Sequence, residues 1–410
     1  MKSQHRTTAF LGLVAASALL LTACATTDAP AGAGAGTGTG TAAQSAEPRV
    51  ALTYDGGIYV LDGTTLETLA DLPLAGFNRL NAAGDGRHVL ITTTAGFQVL
   101  DTGTWTDEDG AAQSADPVLT DLVFDAPAAG HVVRHGDKTI LYADGTGDTT
   151  IFDSAALLEA TDALPKTEVV PAEAAHHGVS IELKDGTLLT TVGTSESRSG
   201  IRVLNADREE ITRNAECPSV HGEGAAANEV AVFGCSDGVL VYDDGKITKI
   251  AAPDAYGRTG NAYVSESSTI AVGDYNSDPD SEGYLLSEVV LVDTAAKTST
   301  VVDLPAGVEY TWRGVARGPN DEALILASDG SLHVLDPKTG ELGESYPVIA
   351  PWQSPVEWQD AHPALTVIGG TAYVTEPATN SLHAVDIATG TVVTSVELPA
   401  SPNEIAVVTG

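Results

Sequence analysis

The sequence predicts an all-β protein built as a β-propeller of eight blades, and three observations carry that reading. A short apolar-alternating strand recurs eight times, each copy ending in Asp or Asn, at spacings of 38 to 52 residues. Upstream of most copies lie two further short strands joined by Gly/Asp turns, which makes four strands per repeating unit once the following strand is added. Outside the N-terminus the chain is rich in Gly, Thr, Val, Asp and Pro and lacks long runs at helical period. Units of this length, repeated around a ring, protect the sheet edges that would otherwise pair with other chains. Seven blades is the alternative if the irregular unit around 102–153 is a loop insertion.

The chain of 410 residues opens with Lys2 and Arg6, followed by the apolar run AFLGLVAASALLL. That run is too short for a span of the mature protein and ends in LTAC, Leu21 to Cys24, in the pattern of a bacterial lipobox. Residues 1–23 are therefore expected to be a lipoprotein signal peptide, cut before Cys24, whose thiol and new amino terminus take acyl chains. Residues 24–48, mostly Gly, Ala and Thr, offer almost nothing to a core and read as a flexible tether. The propeller domain is expected over residues 49–410. It would then sit outside the cytoplasm, lipid-anchored to the outer face of the cell membrane.

The repeated strands are IYVLD ending at Asp62, FQVLD at Asp101, TTIFD at Asp153, IRVLN at Asn205, VLVYD at Asp243, VVLVD at Asp293, LHVLD at Asp336 and LHAVD at Asp386. Several lead into a glycine turn and another strand, as in VDIATGTVVTSVELPA. The first unit has only three strands, over residues 49–74, while the C-terminus leaves a spare one, NEIAVVT. That last strand is expected to complete the first blade.

A formal charge of −36, from 20 basic and 56 acidic residues, argues against nucleic acid and anionic ligands and favours cations or basic protein surfaces. The acidity is spread along the chain, as on a solvated surface. A nucleophile elbow, an HExxH helix and a phosphate-binding glycine loop are all missing from the sequence. With Cys24 assigned to lipid, Cys217 and Cys235 remain as an even pair in an oxidising compartment, and a disulfide is the simplest use for them. DYNSDPDSEG, residues 274–283, imitates a calcium loop but lacks its sixth-position Gly and bidentate twelfth-position Glu, so a solvated acidic loop is the better reading.

The histidines are more informative. His131, His176 and His221 follow one another at 45-residue spacing, one blade each, and stand at or near the start of innermost strands. His177 can replace His176, since strand alternation turns only one of the adjacent pair inward. Neighbouring blades would then direct three imidazoles to one channel mouth, a set that suits tetrahedral Zn²⁺. Glu223 and Asp137 are candidates for the fourth ligand or for a partner that fixes a histidine tautomer. The same residues are also compatible with histidines that only satisfy turn carbonyls.

TYDGGIYVLDG, GFNRLNAAGDGRHVL, GHVVRHGDKTILYADGTG, AHHGVSIELKDGTLL, CPSVHGEGAAANEVAVFGCSDGVLVY and APDAYGRTGN together resemble the AztD-type zinc metallochaperones. The resemblance runs from about residue 49 to the C-terminus. It implies an exported β-propeller that hands zinc to the solute-binding protein of an AztABC-type ABC transporter, and the protein is expected to be a monomer and not an enzyme. The resemblance further implies zinc on His131, on His176 or His177, and on His221, with Cys217 joined to Cys235. Two departures stand out. TWTDEDGAAQSADP lacks the His-rich stretch that many members carry in the second blade, and the lipobox marks an anchored rather than a free protein. Two rivals stay open on the sequence: a surface propeller that binds protein or glycan with structural histidines, and a propeller hydrolase or lyase using a His/carboxylate cluster.

Overall fold

Each of the eight recurring strands becomes the third strand of a blade, counted outward from the centre, and in most of them the Asp or Asn at its end explains the repeat. Asp62 Oδ1 accepts the backbone N–H groups of Thr64 and Thr65 at 3.0 and 2.8 Å. Asp293 does the same for Ala295 and Ala296, and Asp336, Asp386 and Asn205 hold Lys338, Thr389 and Asp207. The side chain stands in for a turn hydrogen bond, so the chain reverses into the outer strand at that point. Asp153 and Asp243 instead pair with Lys138 and Lys297.

The protein is represented by a computed structural model that describes residues 47–410, apart from 108 and 282. The expected signal peptide, Cys24 and most of the tether lie outside the described residues. Eight four-stranded antiparallel sheets follow one another along the described chain, and its helices are 3₁₀ turns of three or four residues. Eight blades is thus the correct count. The irregularity in blade two is a small hairpin, Thr104–Thr106 with Ala112–Ser114, inserted between Gly96–Asp101 and Val118–Asp125.

The ring closes as expected. The C-terminal strand Ile405–Val408 pairs antiparallel with Arg49–Tyr54 and is the innermost strand of blade one. Middle strands read as near-continuous apolar runs because each blade is covered on both faces. Val50, Leu52, Tyr59 and Leu61 pack against Tyr373, Leu382 and Ala384 of blade eight. The alternating partners Ala51, Ile58 and Val60 pack against Leu80, Val89 and Ile91 of blade two. Outer strands such as Thr68–Leu74 alternate between exposed and half-buried positions. Among the described residues no helix is long and apolar enough to cross a membrane.

Candidate metal centre

The inner strands of blades three and five begin irregularly, and the irregularity falls on the histidines. In blade three the register with Lys138–Ala143 shifts between Ala129 and Val132, placing His131 in a bulge. In blade five the shift lies between His221 and Glu223. The extra residue there is Gly222, at φ +68°, whose missing Cβ would otherwise stand 2.5 Å from the Gly260 carbonyl oxygen. A bulge re-aims one side chain out of strict alternation. In blade four His177 lies in the approach to the inner strand Ser180–Glu182.

These three devices bring His131, His177 and His221 to one point. One nitrogen from each ring lies within 4.8 Å of the others, and the ring centroids are 5.0 to 5.1 Å apart. His177 Nδ1 donates to Asp144 Oδ2 at 2.6 Å, and His221 Nδ1 donates to the Gly260 carbonyl at 2.5 Å. A carbonyl can only accept, so His221 carries its proton on Nδ1 and leaves Nε2 as a bare lone pair. The two Nε2 atoms of His177 and His221 face each other at 3.1 Å. His131 Nε2 is buried and has no hydrogen-bond partner among the described residues. Three nitrogens around tetrahedral zinc stand ~3.3 Å apart, given Zn–N bonds of ~2.0–2.1 Å. The His177–His221 separation is close to that value, and the donor set suits that ion.

Electrostatics keep two of these rings neutral. Burial pushes the His131 imidazole well below the ordinary histidine range, helped by the neighbouring His221, Arg79 and His177. Burial likewise brings His221 down to about 3, the Gly260 hydrogen bond opposing and His177, Arg198 and Arg258 reinforcing the shift. A neutral imidazole is the form that binds a metal.

The remaining candidates lie elsewhere. His176 does not join the site: it is buried, with Nδ1 2.8 Å from the Ala174 carbonyl and Nε2 2.8 and 3.0 Å from Tyr142 Oη and Thr191 Oγ1. The alternation expected for the adjacent pair holds, and His177 is the member turned to the cluster. Asp137 does not join the group of the three imidazoles. It follows His135, at the opposite end of the inner strand from His131, and His135 there meets Glu229 of blade five at 2.8 Å. Glu223 also stays out of the trio. It lies two residues further along its strand, where burial pushes its carboxyl up to about 7. Among the described residues no carboxylate joins the three imidazoles within the same radius.

Two carboxylates that hold the trio in place escaped the sequence reading. Asp144, in the turn after the second strand of blade three, crosses to His177 of blade four, and Gly130 leaves room for it against the backbone. Asp274, the first residue of the supposed calcium loop, turns inward instead. Its Oδ1 accepts the N–H groups of Gly260 and Asn261 at 2.5 and 2.9 Å and so fixes the carbonyl that holds His221. A carboxylate in the turn that meets the next blade's inner strand was the available signal, but it needs the blade-to-blade contacts to be read.

Cys217 and Cys235 form the expected disulfide, which ties the approach to His221 to the second strand of blade five. The trio lines a cavity of about 530 Å³ at the channel mouth, together with Arg79, Arg198, Arg258, Asp274, Trp312 and Trp358.

No family model matches the chain. The curated zinc chaperone AztD of Citrobacter koseri is 24% identical over 332 residues, which is 78% of this chain and 74% of that protein. Two solved structures of Citrobacter koseri AztD, one of them the apo form, align with TM-scores of 0.73 and 0.74 at 20% and 19% identity. Both alignments cover 89% of this chain and 98% of the other. The dihydro-heme d1 dehydrogenase NirN aligns at a TM-score of 0.56 and 12% identity, over 90% of this chain and 76% of that one. The same fold thus accompanies quite different chemistry, and function has to be argued from the site.

Proposed function

We propose that this protein is an extracytoplasmic zinc metallochaperone that carries the ion on His131, His177 and His221 and delivers it to the solute-binding protein of a zinc ABC transporter. The observation that carries this is the pair of Nε2 lone pairs facing each other at 3.1 Å, with the orphaned Nε2 of His131 beside them. Two bare nitrogens at that separation repel unless a proton or a metal ion lies between them, and the third unpartnered imidazole nitrogen beside them favours the metal. Similarity to the zinc chaperone AztD of Citrobacter koseri supports zinc as the cargo.

The role is non-enzymatic: three neutral ligands hold the ion, and it leaves by ligand exchange without release to solvent. His131 and His221, held neutral by burial, can take and give up the ion without exchanging a proton. Cys24 is the proposed lipid anchor and residues 25–48 the tether, so a monomeric propeller works beside the membrane-bound transporter. Replacing Cys24 by Ala should move the protein from the membrane fraction to the medium, and a mature variant that stays membrane-bound rejects the anchor.

The deciding experiment is a zinc titration of tag-free protein against a competing chelator. One equivalent bound by the wild type and none by His177→Ala is the expected result. A wild type that takes up no zinc returns the protein to the class of surface propellers with structural histidines.

A further inference from the structure

We infer that the channel mouth is a carboxylate-binding site, in which Arg198, flanked by Arg79 and Arg258, receives an acidic side chain of the protein that takes the metal. The identity of that partner rests on the metal-carrier reading above; the anion site itself does not.

Cations are scarce here, 20 against 56 acidic residues, and most arginines with a carboxylate in reach use it. Arg87 grips Asp101 with two nitrogens, Arg208 holds Glu168 and Glu182, and Arg213 holds Glu173 and Glu210. The three arginines at the mouth do not follow this pattern. Arg198 makes no side-chain hydrogen bond or ion pair among the described residues, and its Nη1 is buried without a partner. Arg79 lies 4.0 Å from Glu404, a carboxylate already taken by Arg313, and its own Nε is likewise buried and unpartnered. Arg258 reaches only the Ser219 carbonyl, at 3.4 Å. The two carboxylates at the mouth are both occupied: Asp144 by His177 and Gly178, Asp274 by Gly260 and Asn261. A buried guanidinium donor without an acceptor is costly, and Arg198, which has no side-chain partner at all among the described residues, is the one an incoming anion would satisfy.

The class of anion follows from what surrounds it. Three histidines leave a fourth position on tetrahedral zinc, and a carboxylate oxygen is an ordinary zinc ligand that a guanidinium can hold at the same time. A polyanion such as nucleic acid is repelled by the charge of −36. A single carboxylate on a flexible side chain fits a cavity of about 530 Å³. The rim points to a protein as its bearer. Trp358 and Phe77 meet edge to face at 5.3 Å, and both are 37% exposed, with Val356 85% exposed two residues away. Aromatic and arginine side chains around a desolvated pocket are the composition of a binding hot spot. The incoming carboxylate would take the open position, and the imidazoles would then leave the ion one at a time.

The test uses zinc-free protein titrated with the capped peptide acetyl-Gly-Asp-Gly-amide, with its Asn counterpart, and with acetate, followed by tryptophan fluorescence from Trp312 and Trp358. The Asp peptide should bind and the Asn peptide should not. Arg198→Gln should weaken the Asp peptide about tenfold or more. Arg258→Gln serves the same purpose if the first variant does not fold, and Arg213→Gln, on the outer surface, should change nothing. Equal binding of the Asp and Asn peptides, or Asp binding unmoved in both mouth variants, overturns the proposal. Binding of acetate without the peptide overturns the docking role, because a free small anion would then be the occupant. Zinc titration of the wild type in carboxylate-free buffer keeps the two readings apart. Peptide binding without zinc binding sinks the metal carrier and leaves the anion site standing, and the converse sinks only the anion site.

Discussion

Asp144 of blade three holds His177 of blade four, its Oδ2 2.6 Å from Nδ1, so the exposed member of the histidine trio is oriented by the neighbouring blade and not by its own. The carboxylate fixes the tautomer that leaves Nε2 free, and it raises the basicity of that nitrogen. Asp144→Asn keeps an acceptor but removes the charge. We expect zinc affinity to fall about tenfold to a hundredfold, measured by chelator competition, with little change in the unfolding midpoint.

The adjacent histidines should separate cleanly. His131→Ala, His177→Ala and His221→Ala each remove one of three ligands, and each should lower zinc affinity by at least about a hundredfold. His176→Ala removes hydrogen bonds to Tyr142, Thr191 and Ala174 from a buried site. It should cost on the order of 3 kcal/mol in denaturant unfolding and far less in affinity. Equal affinity losses at positions 176 and 177 would contradict the assignment.

The disulfide should act on both stability and binding, because it lies four residues before His221. Cys217 and Cys235 are 18 residues apart, and closing a loop of that size contributes about 3 kcal/mol. Replacing both by Ser should remove that amount in urea unfolding. The zinc affinity should drop as well, since the approach to blade five is no longer pinned.

Acid should weaken the zinc-free protein well above the carboxylate range. His362 is buried, its Nδ1 on the Asp360 carbonyl at 2.7 Å, and burial together with the nearby Arg313 holds it down to about 4. Its folded value lies below the unfolded one near 6.5, so the unfolded chain binds the extra proton first. The stability present above pH 6.5 is therefore lost as the pH falls towards 4, by about 2 kcal/mol at pH 5 from this group alone. His131 and His221 are shifted in the same direction and add to the loss. Urea unfolding at pH 7 and pH 5 checks this, and His362→Gln should flatten the slope.

Removing residues 405–410 takes away the innermost strand of blade one and bares the edge of Arg49–Tyr54. Extending the deletion to Glu404 removes two further ties, since that residue holds Thr53 and pairs with Arg313. The shortened protein should lose its cooperative thermal transition and associate through the open edge, visible by circular dichroism and gel filtration.

The sequence by itself determined the ring. A strand whose apolar residues face both ways, ended by a turn-capping side chain, can bury itself only between two like neighbours, and eight copies with a spare terminal strand point to eight blades and their closure, the seven-blade alternative falling only to the sheet topology. It also placed three histidines one blade apart. What it could not decide is which imidazole of His176 and His177 faces the ion, because period-two alternation says that they differ but not where the phase starts. That phase is set by the bulges at His131 and Gly222 and by the loop before Ser180. Asp144, Asp274 and the unpaired Arg198 were equally illegible. Each acts on a residue far away in sequence, and in a closed ring those encounters exist only after neighbouring blades have packed.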